Sequence, residues 1–148
     1  MMARFASYLI PVILLFVTEA SWAERAVVLV VSKASPIEQL STLELRKAYL
    51  GIAVTIDGRS VNALHLKGDE QLHDIFLQSV VAMSSRTYER RLLASAMQTG
   101  RPRPREADSR EQLINLMASN PFFVGYMWKS DADADERVKI IRVLWQGP

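Results

Sequence analysis

Apolar positions along this chain change period several times, and each change marks an element. Ala26 to Ser32 (AVVLVVS) is a β-branched run without polar alternation, the pattern of a strand buried on both faces of a sheet. Ser41-Thr42-Leu43-Glu44 then has the spacing of a capping box, Leu40 and Leu45 flank it as a hydrophobic staple, and Gly51 stands where a left-handed residue would close the helix. These signals predict a helix over about 42–50. Asp57-Gly58 is a turn signal, and Val61 to Leu66 (VNALHL) alternates as a second strand. Lys67-Gly68-Asp69 follows as a tight loop. Leu72, Ile75, Phe76, Val80 and Met83 recur at helical spacing, with Asp69 as the expected N-cap.

Further along, Ser84 or Ser85 is placed to cap a helix whose apolar positions are Tyr88, Leu92, Leu93, Ala96 and Met97, with Gly100 at its end. Arg101-Pro102-Arg103-Pro104-Arg105 reads as a stiff extended connector, because each proline restricts its predecessor. Ser109 and Gln112 repeat the capping spacing, Leu113, Leu116 and Met117 form a buried stripe, and Asn120-Pro121 stops that helix. Phe122 to Trp128 and Val138 to Trp145 read as two strands around a solvated acidic hairpin or loop. The order predicts an α/β fold, with a mixed sheet of about four to five strands flanked by helices.

Ahead of the first strand, the chain opens with a basic residue at Arg4, an apolar run over 5–17 and Ser21-Trp22-Ala23. That is the layout of a secretory signal peptide cleaved after Ala23, too short and too interrupted by Pro11 for a membrane span. Residues 24–148 are then expected as one domain, periplasmic and without a membrane anchor after cleavage. The chain has no cysteine, which excludes disulfides, thiolate metal sites and cysteine nucleophiles. A net charge of +2 gives no electrostatic case for nucleic acid.

No pattern points to catalysis, a cofactor or a metal. A G-x-S-x-G elbow and the phosphate-cradling glycine motifs are absent, and the chain has only two histidines, His65 and His73. Asp69 and His73 are four apart and could share a site with His65, but Asp69 is better explained as a cap. Asp131, Asp133 and Asp135 imitate the start of a calcium loop that fails at Glu136 and Arg142. Arg86, Arg90, Arg91, Arg101, Arg103, Arg105 and Arg110 face only Glu89, Glu106 and Asp108 over the same stretch. They read either as a solvated surface or as a docking surface for an acidic partner.

Three motifs, in order, carry a resemblance. Leu40 to Gly51 (LSTLELRKAYLG), Gly100 to Pro104 (GRPRP) and Pro121 to Tyr126 (PFFVGY) are similar to segments of the phosphate-type periplasmic substrate-binding proteins of ABC transporters. The likeness spans about Val27 to Met127 and implies a single periplasmic-binding-protein-like lobe, a short member of a family whose usual two lobes close on a ligand. It implies a small anion such as phosphate as ligand, and an ABC permease or a periplasmic sensor as partner. The family's ligand loop runs from strand into an arginine, an aspartate and a serine-glycine-threonine turn at a helix start; here the same place reads Lys67-Gly68-Asp69-Glu70-Gln71.

Lys67, Gly68 and Asp69 are therefore the first candidates to bind a ligand, with Lys67 supplying positive charge. Ser32 and Lys33 are expected on the same edge from the end of the first strand, and Tyr126 from the third. The carboxylates of Asp69 and Glu70 at the helix start would repel or replace a phosphate. Two functions follow as expectations: a solute-binding lobe for a small anion, or a ligandless interaction or sensor module on the same lobe.

Overall fold

All seven residues of the first strand, β1 (Ala26–Ser32), are buried, so the sheet needs cover on both sides. The computed structural model describes residues 25–148, and the expected leader lies outside them. Val27, Leu29 and Val31 point into one core and Val28 and Val30 into another. The alternation of a strand turns one apolar run into the middle of a three-layer sandwich.

The first core is closed by helices. Ser41 caps α1 (Thr42–Tyr49): its Oγ accepts from the Glu44 amide at 3.1 Å while its own amide donates to Glu44 Oε2 at 2.7 Å, the expected capping box. Gly51 follows in the left-handed region at φ +76°. A two-residue turn at Asp57-Gly58, both with positive φ, joins β2 (Thr55–Ile56) to β3 (Arg59–Ser60). Next come β4 (Asn62–Leu66) and α2 (Glu70–Phe76), which runs directly into a π-helical turn over Leu77–Val81. Ser84 caps α3 (Ser85–Thr99), which Gly100 ends at φ +65°.

The second core lies under α4 (Arg110–Ser119), capped by Ser109, and the short α5 (Lys129–Asp133). The five-stranded sheet runs in the order β5 (Arg105–Ala107), β4, β6 (Phe123–Trp128), β1 and β7 (Val138–Gln146). β4 pairs in parallel with β5 and with β6, and β1 runs antiparallel to both β6 and β7.

Three expectations are corrected. The acidic segment does not join a hairpin, because β1 lies between β6 and β7 and α5 makes the crossing. Its aspartates are taken up by neighbours: Asp131 by Arg110, Asp133 by Lys129 and Asp135 by Arg137. The stiff connector ends at Pro104, and Arg105 begins an edge strand, where a proline just ahead of the ladder leaves no bond unmade. On α3 only Tyr88 and Leu92 of the expected stripe are buried, while Leu93 and Met97 face solvent.

Gly51 and Gly58 share a left-handed backbone but differ in surroundings. A Cβ at Gly51 would stand 2.8 Å from the Pro102 carbonyl oxygen, whereas one at Gly58 meets nothing within 4 Å. Gly58→Ala should cost about 1 kcal/mol through backbone strain alone. Gly51→Ala should cost roughly 2–3 kcal/mol, since the connector must also shift. Urea unfolding midpoints check the difference, and equal shifts would contradict the packing of the connector on α1.

Candidate functional site

The carboxyl end of β4 delivers three side-chain positions to one edge: His65, Lys67 and, through the turn at Gly68 (φ +90°), Asp69. Asp69 then starts α2. One carboxylate oxygen accepts the Leu72 amide at 3.0 Å, the expected cap, and the other accepts the Trp128 indole N–H at 2.8 Å. The same carboxylate therefore fills an open position at the helix start and ties it to the end of β6. Arg25 stacks over the Trp128 ring at 4.3 Å and donates to Gln71 at 3.2 Å, covering the junction from outside.

Behind this turn sits a polar cluster in an aromatic core. Tyr126 is buried, its ring stacked 3.8 Å from that of Phe76, and its hydroxyl lies 2.6 Å from His65 Nδ1 and 2.7 Å from His73 Nδ1. A phenol has one proton, so it donates to one imidazole and accepts N–H from the other; the two neutral rings must be opposite tautomers. Tyr49 packs edge-on to Phe76 and donates to the Leu64 carbonyl at 2.7 Å, and Tyr88 donates to the Tyr49 carbonyl at 2.6 Å. These bonds satisfy three phenols in an otherwise apolar layer.

Burial dominates the ionisation of the cluster. It lowers His65 to about 4, helped by the neighbouring His73 and by Lys67. It also lowers His73, against the opposing pull of Asp74, Glu89 and Glu106. The Tyr126 phenol is pushed well above 10 by burial and then by Tyr49, Tyr88 and Asp69. At neutral pH the cluster is uncharged and structural in character.

The expected site residues do not converge on one pocket. Lys67 is exposed, its ammonium 3.6 Å from Glu106 on the neighbouring strand. Gly68 forms the turn, and Asp69 is engaged as described. Tyr126 comes to this edge, but its hydroxyl is shared between the histidines. Ser32 and Lys33 are corrected outright: β1 runs antiparallel, so its end pairs with the start of β7, and the Lys33 amide donates to the Arg137 carbonyl. Since Val30 pairs with Gly125 and Asn62 with Phe123, Ser32 lies level with the start of β4, roughly 16 Å along the sheet from Lys67.

His65 and His73 do meet, as their spacing allowed, but through Tyr126 and without Asp69. Among the described residues no group of three or more histidines and carboxylates could hold a metal ion. Trp128 was missed, and an indole ending an otherwise buried strand was its one signal. The cavity beside His65 and Glu106 measures about 10 Å³, room for one water at most. A groove of about 440 Å³ opens at the opposite edge, between Gly51, Asn62, Pro102 to Arg105 and Phe123.

No protein-family model and no curated protein sequence matches this chain. Among solved structures it is similar to the crystal structure of an ABC-type phosphate transport receptor from Vibrio cholerae, with a TM-score of 0.56 and 16% identity. The match covers 80% of this chain and 46% of the receptor, so the chain spans less than half the receptor's length. The fold is a periplasmic-binding-protein-like lobe.

The His65 shift sets a pH dependence. An unfolded imidazole titrates near 6.5 and the folded one near 4, so between those values the unfolded state binds more protons. Stability is complete above 6.5 and falls as pH drops through about 4. The difference in thermal midpoint between wild type and His65→Gln should narrow from pH 7 to 5, because only the wild type loses the His65 contribution; a constant difference would contradict a neutral His65 in the fold.

Proposed function

We propose that this chain is exported to the periplasm and acts there as a single solute-binding-fold lobe that engages a protein partner rather than carrying phosphate. An ABC permease or a periplasmic sensor is the class of partner, by analogy with the receptor it resembles in fold. The observation that carries this reading is Asp69: its two oxygens take the Leu72 amide and the Trp128 indole, so the start of α2 holds the chain's own carboxylate. Glu70 adds a second negative charge in the first turn. A free phosphate would meet like charge there.

The reading as a small-anion binder draws on Lys67, an exposed ammonium beside the turn with one loose ion pair. Isothermal titration of residues 24–148 with phosphate and with sulfate at low ionic strength decides between the two. The protein-partner reading predicts traces no different from dilution, for wild type and for Lys67→Ala alike. Saturable phosphate binding tighter than about 100 μM that is lost in Lys67→Ala would overturn it in favour of anion binding.

A further inference from the structure

Helix α3 shows the core Tyr88 and Leu92. At 3.6 residues per turn, Arg86, Arg90, Leu93 and Met97 gather on the opposite side, within an arc of about 60°. Leu93 is 54% exposed and Met97 79%. A single exposed leucine is ordinary. Two large apolar side chains one turn apart, continued by two arginines towards the amino end, make a stripe that the core does not use.

The charges on this helix also run against its own stability. Its first turn carries no acidic residue and its last turn no basic one, while Arg86 stands in the first turn, where the helix dipole disfavours a cation, and Arg86 and Arg90 are like charges four apart. Glu89, the one acidic residue of α3, is held by Arg103 at 2.5 Å. Among the described residues Arg86, Arg90 and Arg91 make no ion pair. Neither packing nor local electrostatics accounts for the stripe.

We propose that the Arg86–Arg90–Leu93–Met97 face of α3 docks an acidic segment of a partner protein that carries an apolar anchor. Leu93 and the adaptable thioether of Met97 supply the dry contact, and the two guanidinium forks match carboxylates beside it. Charge argues against a second copy of this chain as occupant. Self-pairing around Leu93 and Met97 would set arginines against arginines in a parallel arrangement, and in either arrangement α3 would offer them no free carboxylate, since Glu89 is its one acidic residue and is held by Arg103. Two apolar side chains are too little to seat the helix in a bilayer. The inference rests on the protein-partner reading above and names its surface and the chemistry of its partner.

Photo-crosslinking in the cells that produce the full chain tests it, with benzoylphenylalanine in place of Met97 and, as control, of Leu43, which is 57% exposed on α1. The proposal expects an adduct from position 97 and none from 43. Mass spectrometry should identify the joined peptide as protein sequence rich in Asp or Glu beside apolar residues. Arg86→Glu/Arg90→Glu should lower the adduct yield by roughly tenfold, and Arg86→Lys/Arg90→Lys should keep most of it. Should the reversal alter the thermal melt, Arg86→Gln/Arg90→Gln replaces it with the same expected direction. No adduct, equal adducts at both positions, a phospholipid, a second copy, a neutral or basic peptide, or indifference to charge reversal would each overturn the proposal. Phosphate titration is independent of this outcome: saturable phosphate binding sinks the protein-partner reading, whereas a missing adduct sinks the α3 surface.

Discussion

Burial of β1 on both faces is the constraint from which the rest of this structure follows. A strand apolar on both faces from Ala26 to Val31 cannot face water, so α1, α2 and α3 cover one side and α4 and α5 the other. β4 pairs in parallel with both β5 and β6, so all three strands end at one edge. That edge receives the turn into α2, the place where α/β folds ordinarily bind their ligands.

What stands at that edge is the chain's own chemistry. Asp69 caps α2 and binds the Trp128 indole, and Tyr126 joins His65 to His73 in a neutral, satisfied cluster. Asp69, His73 and Tyr126 are engaged in fixing α2 to β6, while Lys67 stays exposed. A helix start that supplies its own carboxylate gains a cap and loses an anion site, since one negative group excludes another. The lobe has a periplasmic-binding-protein-like fold, and at this edge its polar side chains bond one another.

Local signals were the legible part of this fold. Ser41, Asp69 and Ser109 were each readable as caps, and the cap of α3 as Ser84 or Ser85, because a cap is decided by a few neighbouring residues; Ser41, Asp69, Ser84 and Ser109 accept the amides. Strand order was not readable, because it depends on pairings far apart in sequence; hence Ser32 and Lys33 were assigned to an edge that they do not reach. The α3 stripe failed differently. Tyr88, Leu92, Leu93 and Met97 spread over a wide arc of the helix, and periodicity alone does not say which half a core will cover. Within the site, Lys67 and Asp69 were identifiable from the turn, but the roles of Trp128 and of the tyrosine bridging two histidines arise only when β4, α2 and β6 are brought together.

The central claim, that the start of α2 is occupied by Asp69, is tested most directly by a crystal structure of residues 24–148 grown in phosphate. The account predicts Asp69 bonded to the Leu72 amide and the Trp128 indole, with no anion between Lys67 and Gln71. A phosphate ion seated on the first amides of α2, with Asp69 swung away from Trp128, would contradict it.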